Sequence, residues 1–327
     1  MKTTIPRISK SLLLWYAENK RVLPWRANKN PYFIWISEIM LQQTTVTAVV
    51  PYFDRFIATF PTVEILAAAP QEKVLEMWAG LGYYSRARNL HQTAQQIAKT
   101  GFPKTAKELI QLKGFGPYTS HAVASIAFDE AVGVLDGNVI RILSRLFSIP
   151  SKWWASKDKG ELQSLAHLMA QSGPPSEVNQ AMMELGATVC TTHKPLCVRC
   201  PWVKDCQALK LDIIEKLPLS KPKRRHEFWI WQPELQLQKN QVAFVKNHGA
   251  PILKKMILFP GSWKKSIQKP KKFDFSHSIT HHKIYVQIQK VRSVKKRDDY
   301  LWVQLNEVRQ HNPSSLIEKT LNHLAKS

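Results

Sequence analysis

All four cysteines of this 327-residue chain fall in one short stretch, in the order Cys190-x6-Cys197-x2-Cys200-x5-Cys206. No other feature restricts the fold so tightly, because thiols gathered this way read as a ligand set rather than as core filler. A four-thiolate site suits zinc or an iron–sulfur cluster. Zinc ribbons and fingers pair two well-separated Cys-x-x-Cys knuckles, and only one such knuckle is present. The compact six–two–five spacing favours a loop, 190–206, wrapped around one [4Fe–4S] cubane. Lys194, Arg199 and Lys204 are interleaved with the cysteines, facing either phosphates or water.

Charge points to a polyanionic partner. Lys and Arg number 47 against 24 Asp and Glu, a formal charge of +23, and nucleic acid is the commonest partner for such an excess. From Lys221 onward there are 22 basic and only 7 acidic residues, so phosphate contacts are expected in the last third. No stretch approaches the ~20 apolar residues of a membrane span. Met1-Lys2-Thr3-Thr4 leads directly into an amphipathic pattern, with no signal-peptide core. The expected location is intracellular, cytoplasmic or nucleoid-associated in a bacterium, with reduced thiols.

Residues 1–215 carry a helical pattern. Ser11–Lys20, Tyr32–Gln43 and Val74–Trp78 place apolar residues at three- and four-residue spacing. Pro31, Pro51, Pro61, Pro70 and Pro103 are expected between helices or at their starts. Two prolines and a basic run mark 216–226 as a linker. Beyond it, Phe228–Trp231, Gln241–Val245 and Ile284–Ile288 read as strands, with a closing helix near Ser314–Ala325. The expectation is a mostly α chain: an all-α domain, then a smaller α+β domain over 227–327.

Leu112-Lys113-Gly114-Phe115-Gly116-Pro117-Tyr118 sets two glycines in a turn between helical segments. Glycine permits positive φ and close backbone approach, and Pro117 suits the first turn of a helix whose free N–H groups can meet a phosphate. An ordinary helix–helix turn would look the same. Eighteen residues after Tyr118 stands Asp136, in Leu135-Asp-Gly-Asn-Val139. It reads either as an N-cap or as a carboxylate that stabilises positive charge on a sugar. One further acid, Glu38, interrupts the apolar run Phe33–Leu41. If it is buried there, desolvation raises its pKa and favours the protonated acid. One raised-pKa acid beside one ionised carboxylate divides labour as in glycoside hydrolysis.

Hairpin, Asp136 and cysteine loop, in this order, resemble the helix–hairpin–helix DNA glycosylases of the endonuclease III-like superfamily. Glu18–Arg26, Trp35–Thr44, Gly80–Leu90 and Asn179–Thr188 closely resemble the MutY-type adenine DNA glycosylases, and the likeness runs from about residue 15 to 208. It implies base-excision repair of adenine mispaired with 8-oxoguanine or guanine in double-stranded DNA, by a monomer carrying a [4Fe–4S] cluster on Cys190, Cys197, Cys200 and Cys206. Glu38 would protonate adenine N7 and then help activate water. Asp136 would stabilise the oxocarbenium-like sugar, with Tyr118 and Asn138 positioning the two acids and the water. Arg26 and Gln180 would line the pocket of a flipped base, Gln43 and Tyr83 would fill the emptied stack, and Lys113, Gly114 and Gly116 would meet phosphate. Bifunctional members place a lysine at the position of Tyr118. A tyrosine forms no imine, so the resemblance implies base release without strand cleavage. The alternatives are a bifunctional endonuclease III-type glycosylase/lyase and a non-catalytic iron–sulfur DNA-binding protein.

The same resemblance implies a Nudix-like, lesion-recognising C-terminal domain. Leu258-Phe-Pro-Gly261 fits one of its landmarks, and no Glu-rich Nudix helix is present. The family's Phe-Ser-His loop can be read at Phe275-Ser276-His277 or at Ile279-Thr280-His281. The second is preferred because a strand follows it, so Thr280 and His281 are the expected lesion contacts. His281 and His282 could equally be exposed strand-end histidines.

Overall fold

The structure is a computed structural model that describes residues 4–222, 226–247, 249–254, 256–291 and 297–324. Residues 1–3, 223–225 within the basic linker, and Ala325 of the expected closing helix lie outside the described residues. The chain divides into two compact units: residues 1–69 with 88–221, and residues 70–87 with 222–327.

Among its described residues the first unit is helical, and no strand occurs in it. Its core joins the helices Ile5–Asn19, Gly137–Leu146, Ser156–Ala170 and Pro175–Thr188 through Ile8, Leu12, Val139, Leu143, Met169, Met182 and Leu185, all buried. The helix Pro31–Leu41 is apolar on almost every side and is buried nearly throughout, as such a helix must be. It starts where the Asn30 side chain accepts from Tyr32 N at 2.9 Å and Pro31 takes the first turn.

The structure departs from three expectations here. Pro51 lies inside the helix Val46–Thr59 rather than at a boundary. At the sixth helical position its ring removes the bond an N–H there would give to the Thr47 carbonyl, a loss that the buried face of Val49, Phe53 and Phe56 offsets. Residues 70–87, read from sequence as part of the first domain, group with the C-terminal unit. There the helix Gln71–Met77 packs against the helix Val308–His311, and Tyr84 Oη donates to the Pro313 carbonyl at 2.7 Å. The linker is also shorter than its composition indicates. Leu217 is buried, and the Leu219 carbonyl accepts from Trp153 Nε1 at 3.0 Å.

The second unit contains nine strands among the described residues: β1 (Glu227–Leu235), β2 (Leu237–Gln238), β3 (Gln241–Lys246), β4 (Ile257–Leu258), β5 (Gly261–Ser266), β6 (Phe275–Ile279), β7 (His282–Val286), β8 (Gln289–Lys290) and β9 (Leu301–Gln304). One sheet runs β5-β1-β7-β6, with β8 also on β1; the other runs β2-β3-β4, with β9 on β3. β1 is antiparallel to β5 and parallel to β7. Trp231 on β1 anchors the core, stacked on Trp263 at 5.1 Å between ring centroids and on Phe259 at 6.3 Å. The helix Ser315–Leu324 closes the unit, with Leu316 and Ile317 in the same core.

Candidate active site

Two helices face one cavity with the same spacing. Ile34, Ser37, Glu38 and Leu41 come from Pro31–Leu41, and Gln180, Met183, Glu184 and Ala187 from Pro175–Thr188. Steps of three, four and seven put four side chains on one helical face. The cavity holds about 170 Å³ and is completed by Arg26, Tyr118, Asp136 and Asn138, among others.

The hairpin delivers Tyr118. The helix Ala106–Leu109 opens with a reciprocal Thr105–Glu108 capping box, and the helix Pro117–Phe128 follows the turn. Gly114 takes φ +87°, as a tight turn requires, and a Cβ there would meet Asn89 Cβ at 3.0 Å. Gly116 does not use the freedom expected of it: it is an N-cap at φ −103°, a conformation open to any residue. Phe115 stacks on Trp35 at 5.5 Å, which fixes the hairpin against the Glu38 helix.

Tyr118 Oη donates to Glu38 Oε2. Glu38 is buried, and desolvation raises its carboxyl to about 7 against the pull of the Tyr118 hydrogen bond and of Arg26. Burial and the facing carboxylates push the Tyr118 phenol well above its ordinary value, so it stays a donor. Asp136 is an N-cap, as one sequence reading had it, and also lines the cavity. Its Oδ1 caps the helix Gly137–Leu146 by accepting from Val139 N at 2.7 Å, and its Oδ2 accepts from Asn138 Nδ2 at 2.8 Å. Burial pushes Asp136 up as well, but these donors and the charge of Arg141 oppose the shift. Asp136 therefore has the better support for a negative charge, and Glu38 the better support for a proton.

Glycine matters at one more position. A Cβ on Gly186 would stand 2.5 Å from Asn138 Cβ, so only glycine lets the helix Pro175–Thr188 come this close to the Asp136–Asn138 turn.

Sequence reasoning missed Glu184. Its fully buried carboxylate accepts from Arg21 Nε at 2.6 Å and from the Arg26 guanidinium at 2.8 Å, orienting Arg26 in the cavity wall. Burial works to raise this carboxyl, yet the two arginines hold it below the usual range. The available signal was a single acid in the apolar run Asn179–Thr188, one helical turn after Gln180.

The cavity lining does not include Gln43 or Lys113. Gln43 is exposed at φ +65° just beyond its helix, and Lys113 is exposed on the hairpin with its ammonium on Gln92 Oε1. In the second unit, Tyr83 is half exposed at φ +48° with the Arg86 guanidinium 5.2 Å from its ring centre. Thr280 and His281 form the two-residue turn between β6 and β7, whereas Ser276 and His277 lie within β6. Thr280 is exposed at φ +56°, a rare conformation for a β-branched residue, while His281 and His282 are partly buried rather than fully exposed.

The four cysteines are free thiols around one apolar hollow with Val189, Pro195, Val203, Leu209 and Ile214. Burial pushes the Cys200 thiol up to about 12, opposed by a hydrogen bond from the Trp202 backbone; Cys206 is likewise raised and meets the Leu209 and Ala208 backbones. Apolar walls with backbone N–H groups aimed at sulfur fit a cluster-binding loop. Arg145 organises this loop. Buried itself, it donates to the carbonyls of Thr191, Thr192, Ile214 and Leu217 at 2.7–3.1 Å, and its Nη1 lies 3.5 Å from Cys190 Sγ.

The HhH-GPD superfamily base excision DNA repair protein family matches residues 36–169. An adenine DNA glycosylase of Buchnera aphidicola subsp. Baizongia pistaciae is 32% identical over 91% of both chains. This chain belongs to the adenine DNA glycosylase family. The rat adenine DNA glycosylase is 44% identical over 61% of this chain, which spans only 41% of that relative's length. Among solved structures, a thermostable thymine-DNA glycosylase superposes with a TM-score of 0.58 at 26% identity, covering 64% of this chain and 98% of its own. An endonuclease III–DNA complex, with a TM-score of 0.53 at 21% identity over 65% of this chain and 98% of its own, shares the fold. Membership in the adenine DNA glycosylase family agrees with a helical glycosylase unit followed by a region containing strands. No helix among the described residues is long and apolar enough to cross a membrane.

Proposed function

We propose that this chain hydrolyses the N-glycosidic bond of adenine mispaired with 8-oxoguanine or guanine in double-stranded DNA, without cutting the strand. The observation that carries the proposal is that buried Glu38, bonded to Tyr118, and Asp136 line the same cavity.

The flipped adenine enters between Arg26 and Gln180. With Tyr118 on Oε2, Glu38 keeps Oε1 for the proton it delivers to N7. The bond from C1′ to nitrogen breaks, and its electron pair leaves with the protonated base. Asp136, supported by Val139 N and Asn138, stabilises the positive sugar. Glu38, now ionised, takes a proton from the water that adds to C1′, leaving an abasic site and free adenine. Tyr118 offers no amine, so no imine forms and β-elimination is not driven.

Cys190, Cys197, Cys200 and Cys206 would hold a [4Fe–4S] cluster, which in this loop supplies cross-linking and charge rather than a step in base release. Lys113, Gly114 and Gly116 would contact phosphate at the start of the helix Pro117–Phe128, and Gln43 and Tyr83 would occupy the vacated stack. The 227–327 region would be a Nudix-like reader of the opposite base through Thr280 and His281, and the enzyme would act as a monomer.

The test is a single-turnover assay on duplexes with adenine opposite 8-oxoguanine, guanine, cytosine or thymine, each read with and without alkali. Adenine release opposite the two purines, with breaks only after alkali, is expected. Release of oxidised pyrimidines, or breaks without alkali, would sink the proposal.

A further inference from the structure

We infer that Glu227, His281 and His282 form a binding site for a zinc ion, distinct from the cysteine loop, where β1 begins beside the β6–β7 turn. β1 and β7 run parallel with Glu227 opposite His282, and Glu227 N donates to the His281 carbonyl at 2.9 Å. The two-residue turn fixes His281 directly before the strand, so the two imidazoles lie close together, their centroids 4.0 Å apart and their planes tilted by 37°. One ligand atom from each of the three residues falls within 4.8 Å of the other two.

The spacing of one pair is telling. His282 Nδ1 lies 3.4 Å from Glu227 Oε2, and this nitrogen is buried with no hydrogen-bond partner. That separation exceeds the 2.7–3.2 Å of a sound N–H···O bond. It equals the roughly 3.4 Å between two ligand atoms each bonded at about 2.0–2.1 Å to one tetrahedral zinc. The carboxylate is already oriented from outside by Lys265, whose Nζ lies 2.9 Å from Oε1, and the Trp229 indole Nε1 stands 3.3 Å from Oε2. Such outer partners set the direction of metal-bound carboxylates. Two imidazoles and one carboxylate make a zinc donor set with one position left for water. The ammonium of Lys265 opposes a second cation, so binding is weaker than in a dedicated structural site. Zinc here would tie the first residue of β1 to the turn carrying Thr280, pinning a β-branched residue held at positive φ.

The test counts metals on the tag-free, cluster-loaded protein after equilibration with graded Zn²⁺, with zinc and iron read separately by mass spectrometry. One zinc per chain should be taken up while iron is unchanged. Glu227→Gln and His282→Ala should each weaken zinc binding at least about tenfold. His277→Ala, on the same hairpin but outside the cluster, should leave it unaltered. Circular dichroism and melting confirm that each variant is folded. No uptake by the native chain, zinc retained equally by both site variants, or zinc gained only as iron is lost would overturn the inference. The readout is metal content, so it stands apart from the proposed base release: a chain that binds zinc but excises nothing would refute only the latter.

Discussion

Replacing Glu38 by glutamine should abolish base release and at the same time stabilise the fold, increasingly so with pH. In the folded chain burial lifts Glu38 from 4.5 to about 7. Between these values the folded state holds a proton that the unfolded state has lost, so its stability falls as pH rises from about 4.5 and levels off above about 7. At about 1.4 kcal/mol per pH unit, the full penalty at pH 8 is about 3 kcal/mol, against less than about 1 kcal/mol at pH 5. Glutamine carries no charge to desolvate, and its carbonyl can still accept from Tyr118. For a unit of this size the penalty corresponds to a rise in Tm of roughly 6–12 °C at pH 8. Melting curves of the native and Glu38→Gln proteins at pH 5 and pH 8 check this. An equal shift at both pH values, or a less stable variant at pH 8, would refute the idea that desolvation sets the Glu38 proton affinity.

Tyr118→Phe removes the hydroxyl that favours ionised Glu38. The alkaline limb of the single-turnover rate should move up from near pH 7 by about 1 to 2 pH units, the worth of a hydrogen bond to a charged group; an unmoved limb counts against the contact. Gly186→Ala drives a methyl group into Asn138. It should cost about 1–3 kcal/mol in urea unfolding and slow base release by displacing the Asp136 turn. Arg145→Met strands four carbonyls, those of Thr191 and Thr192 in the cysteine loop and of Ile214 and Leu217 beyond it, at about 1–3 kcal/mol for each buried acceptor left unmet. Iron retained per purified chain should fall well below the native value.

The parts that sequence reveals here are those where one residue breaks a pattern. Glu38 interrupts an apolar run, and the structure places it in the buried wall of a cavity. Asp136 before Gly137 resembles a cap and is one, yet capping does not exclude it from the cavity. Periodicity could not show that residues 70–87 pack with the C-terminal unit, because their helical pattern is indifferent to which neighbour covers its apolar face. Glu184 escaped notice for a similar reason. Its partners Arg21 and Arg26 lie about 160 residues away, and nothing local distinguishes a paired buried acid from a surface one. Pro51 shows the limit of punctuation rules, since a packed face can carry a helix across a single lost hydrogen bond.

The helix Gly137–Leu146 spans about 15 Å at 1.5 Å per residue and is fastened at both ends. Asp136 caps one end inside the cavity, and Arg145 grips the cysteine loop from the other. So short a helix does not bend appreciably, and it behaves as a tie rod between the two. The cysteine loop is thus the far anchorage of the carboxylate. Loosening that loop would free the far end of the rod and would cost Asp136 its aim without Asp136 itself being touched.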